Sequence, residues 1–164
     1  NLIIRGNLLE CIDLWGILLN PGAASHAGRP ATEAEPARAP NVDAGIIVTH
    51  NIITDYGRGH EYWNWGGAQE DLGASYPIAL YEGQLDTNPP LTDVLIQGNM
   101  VYDTGRELAA STGQPETPRY RYAVYVGPWS GEAEPGPTYP KNVKFLGNLF
   151  HPGARGVSNI AIEP

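Results

Sequence analysis

The stretch Val94-Leu95-Ile96-Gln97-Gly98-Asn99-Met100-Val101 sets the architecture, because its pattern returns three more times. The other copies are Leu2-Ile3-Ile4-Arg5-Gly6-Asn7-Leu8-Leu9, Ile46-Ile47-Val48-Thr49-His50-Asn51-Ile52-Ile53 and Val143-Lys144-Phe145-Leu146-Gly147-Asn148-Leu149-Phe150. The residues five and three places before each Asn are apolar in every copy, while the sites between admit Arg5, Thr49, Gln97 and Lys144. Such alternation predicts a strand with one buried face. The Asn predicts a sharp bend, since Asn tolerates the left-handed conformation and its amide can bond to nearby backbone. Two apolar residues then start a second short strand.

A further apolar pair follows each Asn: Ile17 with Leu19, Ile78 with Leu80, Val124 with Val126, and Ile160 with Ile162. Three of these segments run into Pro21, Pro128 or Pro164, which stop a strand by removing a donor and fixing φ. Each repeat therefore predicts three short strands, the unit of one coil. Successive Asn residues lie 44, 48 and 49 positions apart, so loops of unequal length are inserted between conserved strands. A leucine-rich or helical solenoid needs a long segment of 3.6-residue period, and none is visible. A WD40-like propeller needs a fourth strand per unit and a Trp-Asp dipeptide, both missing.

The Gly-Asn-apolar-apolar signature, with a short strand before the next coil, resembles the parallel β-helix repeat of the pectate-lyase-like superfamily, including bacterial right-handed β-helix repeat proteins. The resemblance covers nearly the whole chain apart from the loops. It implies an all-β fold, a right-handed parallel β-helix of about four coils with long inserted loops, in one domain over residues 1–164. Residues 21–41, rich in Ala, Pro and Glu and without periodicity, predict a flexible surface insertion. A binding lid is the alternative for that stretch. The ends carry no amphipathic capping helix, from which a segment of a longer helix is expected.

Gly 20 and Pro 15 make about a fifth of the chain, in keeping with many turns. A net charge of −8 argues against nucleic acid or an anionic membrane surface as the main partner. A neutral ligand, or a cation bridging to an anionic one, fits better. The single Cys11 excludes an internal disulfide and reads as a small buried residue. No apolar run reaches the length of a membrane span.

The loop from Thr54 to Asp71 gathers Tyr56, Tyr62, Trp63, Trp65, Arg58, His60 and several carboxylates. Trp63 and Trp65 either form a stacking surface for sugar rings or fold back onto the helix. Asp55-Tyr56-Gly57-Arg58 and Asp103-Thr104-Gly105-Arg106 share one offset from their Asn residues. Stacked in register, Asp55 and Asp103 would lie roughly 5 Å apart. Two carboxylates so spaced could serve a retaining glycosidase, which needs about 5 to 5.5 Å, or share a Ca²⁺. They could equally be neutralised by Arg58 and Arg106, themselves candidates for substrate binding. Pro152-Gly153-Ala154-Arg155 keeps the Gly and Arg but loses the Asp, a decay that favours a structural ladder.

Glu82 stands where the other repeats place Pro21, Pro128 or Pro164. In the enzymes that the repeat resembles, the substrate groove lies along this strand, which makes Glu82, Tyr81, Tyr125 and Trp129 groove candidates. A solvated Glu at a strand end is the structural alternative. His50 replaces the Gly before Asn and is either a base or a hydrogen-bonded bend residue. His60, beside Glu61, is the better general acid or base, since His titrates near neutrality. Common nucleophile-elbow, phosphate-loop, Cys-x-x-Cys and His-Glu-x-x-His motifs are absent. So are the Asp pair with Gly-His-Gly of polygalacturonases and the clustered bases of pectate lyases. Two functions follow from the resemblance: a secreted or cell-surface enzyme that binds and cleaves a polysaccharide as lyase or glycoside hydrolase, or a noncatalytic adhesin-like scaffold.

Overall fold

The computed structural model describes residues 1–10, 12, 15–21, 43–56, 76–82, 90–102, 104, 122–127, 139–151 and 159–162. The first repeat contributes strands Leu2–Arg5 (β1), Leu8–Glu10 (β2) and Trp15–Leu19 (β3). The second contributes Ala44–Thr49 (β4), Ile52–Thr54 (β5) and Tyr76–Tyr81 (β6). The third gives Thr92–Gln97 (β7), Met100–Tyr102 (β8) and Val124–Gly127 (β9), and the fourth Lys141–Leu146 (β10), Leu149–Phe150 (β11) and Ile160–Ile162 (β12). The described residues contain no helix.

Strands from successive repeats pair in parallel, giving three sheets ordered β1-β4-β7-β10, β2-β5-β8-β11 and β3-β6-β9-β12. This all-parallel, all-β arrangement is consistent with a β-solenoid. The register joins equivalent residues of the sequence repeat: Leu2, Ile46, Val94 and Val143 form one column, and Leu9, Ile53, Val101 and Phe150 another. Ile17, Ile78, Val124 and Ile160 form a third. In the two middle repeats Val48, Ile53, Ile78, Leu80, Ile96, Val101 and Val124 are wholly buried. The 3.6-residue period is absent because these segments bury one face of a pleat.

Complete burial contributes about 1.5–3 kcal/mol per aliphatic side chain, against about 1 kcal/mol net for a hydrogen bond. The apolar columns therefore supply most of the cohesion. Register comes from the Asn column. Asn7 Nδ2 donates to Asn51 Oδ1 at 2.9 Å, Asn51 Nδ2 to Asn99 Oδ1 at 2.9 Å, and Asn99 Nδ2 to Asn148 Oδ1 at 3.1 Å. The other amide hydrogen reaches back: Asn51, Asn99 and Asn148 donate to the carbonyls of Ile4, Val48 and Ile96. A slip of one residue would break this ladder and turn every interior column outward.

The bend differs from the sequence expectation in one respect. The left-handed residue is the one before Asn, with φ of 68° at Gly6, 53° at His50, 62° at Gly98 and 57° at Gly147. The Asn amides bond to neighbouring repeats and to no local backbone in the bonds that define the ladder. Gly dominates the preceding site because it has no Cβ to clash at positive φ. A second left-handed column was not expected: Gly45, Asp93 and Asn142 have φ of 69°, 54° and 51°, and Asn142 donates its side-chain amide to the Asp93 carboxylate. The 21–41 insertion lies outside the described residues except for Pro21, which is buried, and Cys11 lies outside them too.

Candidate functional site

The third sheet carries the densest chemistry among the described residues. Ile78, Leu80, Val124 and Val126 point into the main core, whereas Ala79, Tyr81 and Tyr125 belong to a second cluster on the other face. Tyr76 stacks on Tyr125 with centroids 4.3 Å apart and 7° between planes, and Tyr122 stacks on Tyr76 at 6.1 Å. Tyr81 meets Tyr125 edge-on at 5.9 Å and Trp15 edge-on at 6.4 Å. The Trp15 Nε1–H donates to the Tyr81 hydroxyl at 3.0 Å. Five rings thus form one continuous band across three repeats.

Two groove candidates, Tyr81 and Tyr125, are brought together here, but they are only 1% and 3% exposed. Tyr125 is stacked on Tyr76, and Tyr81 makes edge contacts with Trp15 and Tyr125. The half-buried rings are Trp15 and Tyr122, at the two limits of the band. Sequence reasoning singled out neither of these, nor Tyr76. Their shared signal was available: each lies two places before the first member of its apolar pair, Ile17, Ile78 or Val124.

Glu82 follows Tyr81 at the end of β6, and its backbone N–H donates to the Gly127 carbonyl at 3.0 Å. Leu80 is interior and Tyr81 outer, so strand alternation returns position 82 to the interior side. The register aligns it with Pro21, also buried. Glu82 is 4% exposed, and its carboxyl has no hydrogen-bonding or ionic partner among the described residues. Burial raises its pKa above the ordinary carboxylate value, because desolvation penalises the charged form. A carboxyl held this way is suited to donating a proton.

Asp55 is wholly buried just beyond β5, in the left-handed conformation with φ 53°. Its Oδ1 accepts the backbone N–H of Thr104 at 2.9 Å, and the Thr104 hydroxyl reaches Oδ1 at 2.9 Å and Oδ2 at 2.8 Å. The carboxylate is therefore engaged with the next repeat. Its companion Asp103 lies outside the described residues, as do His60, Trp63, Trp65, Trp129, Arg58 and Arg106.

His50 is exposed at its bend, with Nδ1 2.5 Å from the Thr49 hydroxyl. The imidazole lies over the next repeat: a Cβ built on Gly98 would come within 3.3 Å of His50 Nε2. This is a bend residue packed on its neighbour. Among the described residues no group of three or more His, Cys, Asp or Glu side chains is placed to hold a metal ion. Asp55 and Glu82 leave different sheets, β5 in the second and β6 in the third.

No protein-family model, no curated protein and no solved structure matches this chain.

Proposed function

We propose that the chain is a carbohydrate-active segment of a right-handed, pectate-lyase-like β-helix, with the polysaccharide running beside the aromatic band of the third sheet. The observation that carries this proposal is Glu82, a buried carboxyl without a partner among the described residues, at the end of the aromatic strand, where the equivalent residue of the first repeat is a buried Pro. A carboxyl costs free energy in such a place, roughly 2–7 kcal/mol for an unpaired polar group. That cost is offset where a ligand supplies the missing hydrogen bond. In this proposal the rim rings Trp15 and Tyr122 offer apolar faces to the sugar C–H groups, and Glu82, set by strand alternation on the side away from the band, protonates the oxygen of the scissile glycosidic bond where the polysaccharide passes the end of β6.

The proposal includes secretion or display at the cell surface, where polysaccharides are met, and an acidic protein that does not engage nucleic acid.

The test is incubation of the full chain with a panel of neutral and acidic polysaccharides, following new reducing ends and unsaturated sugar ends. Cleavage by the wild type and its loss in Glu82→Gln, with glycan binding retained, is the expected result. Undiminished turnover in Glu82→Gln removes Glu82 from the chemistry.

A second reading, a noncatalytic scaffold or adhesin-like solenoid, is favoured by the engagement of Asp55 with Thr104, which gives one member of the proposed acid pair a structural occupation. Glycan binding with no product from any polysaccharide would select it.

A further inference from the structure

We propose that Asp55 is an interlock between the second and third repeats, clamping Tyr102 and Thr104 so that the ends of β5 and β8 open as one unit. The clamp has two jaws. The backbone N–H of Asp55 donates to the Tyr102 carbonyl at 3.2 Å. The carboxylate of the same residue takes the N–H and the hydroxyl of Thr104, two positions further along.

The register pairs Thr54 with Tyr102, so the Asp55 carboxylate reaches onward to Thr104 from a left-handed backbone of φ 53°. This conformation costs about 1–2 kcal/mol for a residue with a Cβ, and removing a carboxylate from water costs more. Both penalties persist only where surrounding structure over-determines them. Thr104 brings two donors, its N–H and its O–H, to this one carboxyl.

Tyr56, next to Asp55, is 1% exposed and belongs to the main core, so the clamp is anchored on its own repeat as well.

Native-state amide exchange on the full chain tests this without any assay of cleavage, so its outcome is separate from that of the proposed function. In the wild type the Asp55 and Thr104 amides should exchange slowly and at a common rate. Asp55→Ala should accelerate Thr104 by at least about tenfold while Met100, whose N–H donates to Asn51, changes by less than about twofold. Asp55→Asn and Thr104→Val, both milder, should fall between. Thr104 protection that is absent in the wild type, or that survives in Asp55→Asn and Asp55→Ala alike, overturns the interlock. If Asp55→Ala fails to fold, the Asp55→Asn and Thr104→Val rates decide.

Discussion

The side-chain amide of Asn51 donates to Oδ1 of Asn99 at 2.9 Å, and both residues are wholly buried. Asn99 in turn uses every hydrogen-bonding site of its amide, accepting from the Asn51 backbone as well and donating to Val48 and Asn148. Substituting Asn99 by Asp removes both donors and sets an anionic oxygen against two acceptors. Asn99→Asp should destabilise by about 3–5 kcal/mol at neutral pH, the range for an uncompensated buried charge. Asn148→Ala, on a part-buried residue, should cost less than Asn99→Ala. Urea denaturation of the three variants gives the comparison.

Gly16 and Gly147 should respond differently to the same substitution. A Cβ on Gly16 would lie 2.6 Å from the Pro77 carbonyl oxygen and 3.1 Å from Ile53 Cδ1, so backbone of the next repeat must yield. Gly16→Ala is expected to cost about 1–3 kcal/mol from overpacking. Gly147 has open space around its Cβ direction and a φ of 57°, so Gly147→Ala should cost only the conformational penalty of about 1–2 kcal/mol. Thermal unfolding should rank Gly16→Ala as no milder, and repacking around Pro77 should be visible only there.

His50 and Gly98 should couple. Gly98→Ala strains a φ of 62° and brings the new methyl within 3.3 Å of the imidazole. In a His50→Gly background the steric part vanishes and the conformational part stays. A double-mutant cycle should return a coupling of at least about 0.5 kcal/mol. Additive effects would mean that the ring moves aside freely.

Glu82 predicts a pH dependence of definite sign. Its pKa in the folded chain is raised by burial, so between the unfolded value and the folded one the native state binds more protons than the unfolded state. Stability is then free of the penalty below the unfolded carboxylate pKa and falls as pH rises through the folded pKa. Glu82→Gln removes this slope. The melting temperature of Glu82→Gln relative to wild type should therefore rise between mildly acidic and neutral pH, and a constant difference would deny that the carboxyl is buried and unpaired.

The interior of the fold was legible because it repeats. Apolar residues at fixed offsets from Asn7, Asn51, Asn99 and Asn148 predicted three strands per repeat, and register pairing follows those offsets. The mistake about which residue bends had a physical source. Asn and Gly both tolerate positive φ, and only the contacts of the Asn amide reveal that it is occupied between repeats while its predecessor takes the bend. The candidate site was legible in part. Glu82 announced itself by replacing a Pro, and Tyr81 by neighbouring it. Trp15, Tyr76 and Tyr122 escaped because aromatic residues at a strand entrance read equally as core. That Asp55 belongs to Thr104 could not be read from the chain, since the shared Asp-x-Gly-Arg offset draws the eye to the Asp above rather than the Thr beside it.

The Asn column has an implication for how such a chain can change. Its hydrogen bonds join residues 44, 48 and 49 positions apart with the same geometry, so the count of intervening residues leaves no trace in the alignment of one repeat on the next. Segments between the strands are in effect interchangeable cassettes: lengthening, shortening or grafting one alters what the surface presents and leaves the indexing of the stack untouched. The length between strands and the alignment of the repeats can then drift independently, the second being indexed by a single column of amides.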